Sequence, residues 1–263
     1  MAREAPLGLI LRRGPSKQVC TIGWNRTNDT FELGQWLKGV IYEHRSDLSP
    51  DGKHFLYFAA KHNDVIEDDK VVRFGIWTAI SRAPFLKALT FWGQGTTHGG
   101  GGHFEDDTHF WLNGSHGFQD GEPAVMMELN RVAQPPVKWP WGMQPDELFA
   151  LRLERDGWRS PDRSRVNWEK KHNAWKLQQS THHDLDAPDG RKADWESYRA
   201  VDNVSNETLG DQSWEWADFD GDRLVWAQNG KLFATKIWDG GHGDIIELAD
   251  FNDWKFKNIV APY

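Results

Sequence analysis

Between residues 98 and 109 the chain reads His98-Gly99-Gly100-Gly101-Gly102-His103-Phe104-Glu105-Asp106-Asp107-Thr108-His109. Imidazole and carboxylate groups together can ligate a divalent metal. His98, His103 and His109 are therefore candidate metal ligands. Gly100 and Gly101 are candidate ligand-binding positions, because glycine lets a ligand or another backbone approach the main chain closely. The histidine spacing is not that of a helical zinc motif, and no Lys-Ser/Thr follows the glycines as a phosphate-binding loop requires. A solvated loop between strands accounts for the same residues without any ligand. A divalent metal is the one cofactor these residues suggest; none is otherwise expected.

A second candidate is Glu43-His44-Arg45-Ser46-Asp47, a charged run that leads into a turn. On a strand, Arg45 and Asp47 would point to one side. With Arg82, which follows an apolar strand, they could line a polar ligand pocket. The competing reading is an internal ion-pair set that fixes packing. His182-His183-Asp184 is a weaker cluster in a polar stretch, and its residues are expected at the surface. Cys20 beside Val19 and Ile22 reads as a small buried residue; nucleophilic use would need a histidine beside it. No Gly-x-Ser-x-Gly elbow occurs, which disfavours that type of hydrolase.

The elements that must position these residues are strands. Asp51-Gly52-Lys53-His54-Phe55-Leu56-Tyr57-Phe58-Ala59 is a turn followed by an apolar run, and Asp220-Gly221-Asp222-Arg223-Leu224-Val225-Trp226-Ala227 repeats the phrase. Asp-Gly between two such runs marks a hairpin. Weaker copies are Asp106 to Leu112 and Pro145 to Leu151. The turn positions Gly52, Asp107, Asp146 and Gly221 lie 55, 39 and 75 residues apart. The last interval has room for one more unit, with its turn at Asp189-Gly190. Five units at this spacing have the length of four-stranded propeller blades. No long helix is expected, and residues 168–179 read as loop or strand. Strand-like Leu7 to Leu11 and Ile259 to Pro262 are expected to lie near each other and close a ring.

Leu48-Ser49-Pro50-Asp51-Gly52-Lys53-His54-Phe55-Leu56-Tyr57-Phe58 resembles the turn of WD40-like and TolB-like β-propeller repeats, in which an Asp-Gly turn joins two inner strands of a blade. A repeated Trp-Asp dipeptide is not evident; Trp238-Asp239 occurs once. The expectation is an all-β chain: a single β-propeller domain over residues 1–263, with five blades of mostly four antiparallel strands and six blades as the alternative. A polar, loop-rich elaboration is expected at about 159–211. The resemblance concerns fold and carries no activity.

The chain has 263 residues and a formal charge of -8, with 31 basic against 39 acidic residues, which disfavours nucleic acid as a partner. No apolar run has the length of a membrane span. One cysteine allows no internal disulfide, and a cytoplasmic location is expected. Five Asn-x-Ser/Thr sequons, at Asn25, Asn28, Asn113, Asn203 and Asn206, read as turn asparagines rather than glycan sites. Sixteen tryptophans are spread along the chain, which suits sheet packing better than a single binding platform. A non-catalytic binding module or scaffold for a protein or small-molecule partner fits these features best. The alternative is a glycoside hydrolase-like enzyme with carboxylates facing across a funnel, or a metal-dependent hydrolase using the histidines.

Overall fold

A computed structural model describes residues 1–14, 18–61, 65–67, 70–72, 75–94, 97–114, 119–120, 129–132, 143–183 and 194–263. The chain is all-β: antiparallel sheets follow one another, with one α-helix among the described residues. It divides into two compact units, Met1–Arg152 with Phe256–Tyr263, and Leu153–Lys255.

The first unit opens with a three-stranded antiparallel meander of β1 (Leu7–Gly14), β2 (Gln18–Asn25) and β3 (Thr30–Lys38). The apolar runs from Leu7 and from Val19 fall inside β1 and β2 as read from the sequence. A short β4 (Val40–Ile41) leads to a 3-10 turn at Glu43–Arg45, and then β5 (Asp47–Leu48) pairs with β6 (His54–Ala60). The turn between β5 and β6 is the expected Asp-Gly hairpin. Gly52 adopts φ +74°, in the left-handed region that glycine occupies without penalty. The Asp51 carboxylate accepts from Ser49 Oγ at 2.7 Å and from the Lys53 N–H at 3.0 Å.

A ribbon of β7 (Val65–Glu67) and β8 (Lys70–Val72) follows. Next come β9 (Ile76–Arg82) and β10 (Ala88–Gln94), which extend the sheet beyond β6. β11 (Gly102–Phe104) and β12 (His109–Leu112) form a hairpin. β13 (Gln119–Asp120) pairs with β10, and β14 (Asn130–Arg131) lies parallel to β12. Every side chain of β6 is buried, because neighbouring elements cover both its faces. Leu56 and Ile80 pack with Trp92, Phe104, Phe110 and Leu112 on one side. Phe55, Tyr57 and Ala79 pack with Val19 and Ile41 on the other.

Helix α1 (Pro145–Arg155) corrects the reading of Pro145 to Leu151 as a strand-turn copy and the expectation of no long helix. Its signals are local. Proline stands at the first helical position, where its missing N–H costs nothing. Asp146 and Glu147 complement the positive end of the helix dipole. Glu147 Oε2 reaches back to the Gln144 N–H at 3.2 Å, as in a capping box. Gly157, at φ +89°, ends the helix: its N–H bonds Glu154 O and the Trp158 N–H bonds Leu153 O, a Schellman closure.

The second unit contains β15 (Asn167–His172), β16 (Trp175–His183), β17 (Asp194–Asp202) and β18 (Thr208–Leu209) in a four-stranded meander. The polar 159–211 region is thus largely sheet where it is described, and 168–179 is a hairpin. Its low hydrophobicity reflects period-two alternation: Trp175, Leu177 and Gln179 are buried while the residues between them are partly exposed. The Asp189-Gly190 turn lies outside the described residues. β19 (Trp214–Asp220), β20 (Arg223–Gln228), β21 (Lys231–Trp238), β22 (Gly241–His242) and β23 (Ile246–Asp250) form the last sheet. Here Asp220 pairs with Arg223 across a two-residue turn, the second Asp-Gly hairpin. Trp214 stacks on Trp226 at 4.6 Å, and Trp226 on Phe233 at 5.6 Å, a cross-strand aromatic ladder.

The C-terminal residues are not a strand. They rejoin the first unit as an irregular tail on β3: Gln35 Nε2 donates to Ile259 O at 2.7 Å and Trp36 packs on Phe256. The tail therefore lies against β3 of the N-terminal sheet.

Candidate functional site

The two segments singled out from sequence meet in the first unit. Arg45 closes the 3-10 turn, and its Nη1 donates to Thr97 O and to Gly99 O, both at 2.6 Å. Its guanidinium lies 4.9 Å from the Phe58 ring centroid and 5.5 Å from that of Tyr42, within cation–π range. Burial lowers the Arg45 pKa, with Tyr42 and Asp146 opposing the shift. Asp47 is buried on β5, and its Oδ2 accepts the Phe104 N–H at 2.9 Å. The charged run and the glycine loop thus bind each other through side chain to main chain.

The glycines are explained by proximity. Gly100 and Gly101 have φ of +85° and +79°. A Cβ on Gly101 would sit 2.1 Å from Arg45 O, and one on Gly100 would sit 2.4 Å from both Phe58 Cε2 and Gln94 Oε1. The Gly101 N–H donates to Thr78 Oγ1 at 2.9 Å. Asn113, almost fully buried, completes the knot: the Gly100 N–H donates to its carbonyl, its own N–H donates to Gly101 O, and its side chain bridges both main-chain groups of Met143. A residue with donor and acceptor on one amide suits this place. Sequence reading noticed Asn113 only as a sequon; its burial leaves no room for a glycan. At Asn25 and Asn28 the side chains cap local turns instead.

Arg152, on α1, was also missed. It donates to Glu43 O at 2.7 Å and to Ser46 O, while His44 stacks on Phe149 at 3.9 Å. The 3-10 turn is therefore gripped by the glycine loop and by the helix. Recognising the helix signals around Pro145 would have pointed to that contact.

Arg82 does not join this cluster. It lies four residues beyond Thr78 on β9, roughly 13 Å at strand rise. There its N–H donates to Tyr263 Oη at 3.0 Å and its guanidinium sits 5.1 Å from the Tyr263 ring. The three histidines occupy three settings. His98 is exposed. His103 is buried with its ring 5.1 Å from Trp111. His109 is held by Asp106, Nδ1 to Oδ2 at 2.9 Å. Among the described residues no group of three or more His, Cys, Asp or Glu side chains is arranged to hold a metal, so the fold does not assemble the candidate ligands.

Asp106 is a turn-maker. Hydrogen bonds from the Thr108 and His109 N–H groups hold its carboxyl well below the usual range. His182 bonds Ser197 Oγ at 2.9 Å and stacks on Trp195 at 4.0 Å, a cross-strand pair; Asp184 lies outside the described residues. Cys20 is buried, and burial pushes its thiol up to about 11 against the pull of Arg12, which makes it a packing residue.

Chemically, this assembly holds loops. Arg45 and Asp47 satisfy backbone groups rather than facing a cleft. The chain matches no family model, no curated protein and no solved structure in comparisons of sequence and fold. No helix among the described residues is long and apolar enough to cross a membrane.

Two other surfaces belong to the second unit. One is apolar: Trp238, Ile245 and Ile246 are about half exposed on the closing hairpin of the last sheet. Val204 is exposed on the turn beside it, its Cγ1 3.6 Å from where a Cβ on Gly240 would stand. The other is a cleft formed just after α1.

Proposed function

We propose that this chain is a non-catalytic binding module of the β-propeller class that engages a protein partner through the apolar hairpin around Trp238, in the cytoplasm. The observation that carries the reading is that patch. Trp238 is 52% exposed, Ile245 53%, Ile246 58% and Val204 65%. Exposed apolar side chains grouped on a surface mark interaction sites more often than chance; Val204 stands beside the turn that joins Trp238 to Gly241, and tryptophan is favoured at interface centres.

The propeller assignment has three supports. Five sheets of three or more strands occur in chain order among the described residues, with β13 alone reaching back to an earlier sheet. Asp-Gly turns stand at β5–β6 and β19–β20. The first and second turn copies also touch, the Asp51 N–H donating to Asp107 Oδ1 at 2.7 Å, as neighbouring repeats would. A metal-dependent hydrolase would have to draw on His98, His103 and His109, whose separate settings do not favour it.

Site-specific photo-crosslinking tests the binding reading. A photoreactive phenylalanine analogue at Trp238 should give a discrete protein adduct in cells, and the same probe at exposed Asn229 should not. Identical labelling from both positions, or none from Trp238, would remove the proposal.

A further inference from the structure

The segment after α1 carries Arg159, Arg163 and Arg165 within seven residues, around an open cleft of about 650 Å³ in the second unit. Glu154, Trp158 and Ser160 complete its lining together with Gly157. Three arginines and one acidic residue thus line it. Among the described residues neither Arg159 nor Arg163 has a carboxylate partner. The nearby Asp162 is engaged by its own loop: its carboxylate accepts from Ser160 Oγ, from the Ser164 N–H and Oγ, and from Asn167 Nδ2. Those bonds hold it ionised, with its pKa lowered to about 2.

The loop holds its arginines in an unusual way. Arg163 and Arg165 both have left-handed backbone, at φ +58° and +60°. Non-glycine residues rarely take this conformation, and such outliers persist where surrounding structure over-determines them. Here it does. The Arg165 N–H donates to Ser160 Oγ, and Arg165 O accepts from Trp168 Nε1 at 3.1 Å. Arg159 is fixed by a main-chain bridge to Glu169, with both bonds at 2.8 Å. Trp158, buried under Lys170, forms a rigid wall.

We infer that this cleft binds a small molecule carrying several phosphate groups. Guanidinium groups match phosphate oxygens two at a time, and Arg159 and Arg163, with no carboxylate partner, already call for more oxygens than one terminal phosphate presents. The volume is in the range of small-molecule sites and larger than a single oxyanion fills. This site stands apart from the Trp238 patch, so either can fail alone.

Calorimetric titration of the full chain with inorganic tripolyphosphate, at physiological salt, tests it. Saturable binding at least tenfold tighter than that of orthophosphate or sulfate is expected. R159A should weaken it at least tenfold, since removing that side chain leaves the main-chain bridge in place. The double variant R163G/R165G should do the same without lowering the unfolding midpoint, because glycine accepts left-handed backbone. K257A, at an exposed site in the other unit, should bind like the wild type. No saturable binding of tripolyphosphate, equal binding of sulfate, undiminished binding in R159A, or an equal loss in K257A would overturn the inference. Should the double variant fail to fold, R159A decides it.

Discussion

Arg45 ties the charged run to the glycine loop. It satisfies two carbonyls of a glycine-rich loop and sits on two aromatic rings. Charge-assisted hydrogen bonds of this kind are worth about 1.5–3 kcal/mol each, and their loss is not additive. Arg45→Ala should therefore cost about 2–4 kcal/mol, measured by urea unfolding, and Arg45→Lys should recover only part because one ammonium lacks the planar fork. Gly101→Ala should cost about 3 kcal/mol or more, since its Cβ would fall 2.1 Å from Arg45 O on a backbone at φ +79°. If both substitutions proved neutral, the knot would not be holding the loop. Cys20, with its thiol raised to about 11 by burial, should resist alkylation at pH 8 in the native state and react at once in denaturant. Rapid native labelling would show that β2 opens.

At the scale of elements, turns hold ionised carboxylates by hydrogen bonding. Asp202 ends β17 fully buried, and its carboxylate accepts from the Val204 N–H at 3.0 Å and from Ser205 Oγ at 2.7 Å. Burial opposes ionisation there, but the hydrogen bonds outweigh it and the pKa is lowered. A depressed carboxylate stabilises the fold above its unfolded value and loses that contribution as pH falls through the lowered folded value. Asp202→Asn should thus be less stable than wild type at neutral pH, with the gap closing below the ordinary value of 3.8. A gap that stayed constant to low pH would contradict this. The helix shows the other face of element-scale reasoning. Pro145, Glu147 and Gly157 spell its ends locally, yet an Asp followed by an apolar run imitates the turn-and-strand phrase found elsewhere in the chain. The apolar run alone cannot distinguish the two periods over seven residues, and only the flanking Gln144 and Gly157 contacts do.

At the scale of the molecule, contacts divide the chain into two units, while the propeller proposal treats it as one domain. These make different predictions. One closed propeller should unfold in a single calorimetric transition, and removal of residues 256–263 should lower its midpoint by uncovering β3. Two resolved transitions, only one of them sensitive to that truncation, would mean that residues 153–255 fold as a separate domain.

Local chemistry was legible in the residues themselves. Asp51-Gly52 and Asp220-Gly221 specify turns through bonds that span three or four residues, and alternating Trp and polar positions specify half-buried strands, so the all-β class follows from short-range rules. The glycine run announced a close approach without naming its partner. Only the tertiary structure decided that the partner is Arg45, 54 residues earlier in the chain, that Arg82 turns instead to Tyr263, and that the three histidines stay apart. It also decided that Arg159, Arg163 and Arg165 surround one cleft. The turn carboxylates of Asp51 and Asp106 accept hydrogen bonds from within their own segments. A half-buried arginine or a loop amide must find its partner wherever packing brings one, and no spacing in the chain records that distance.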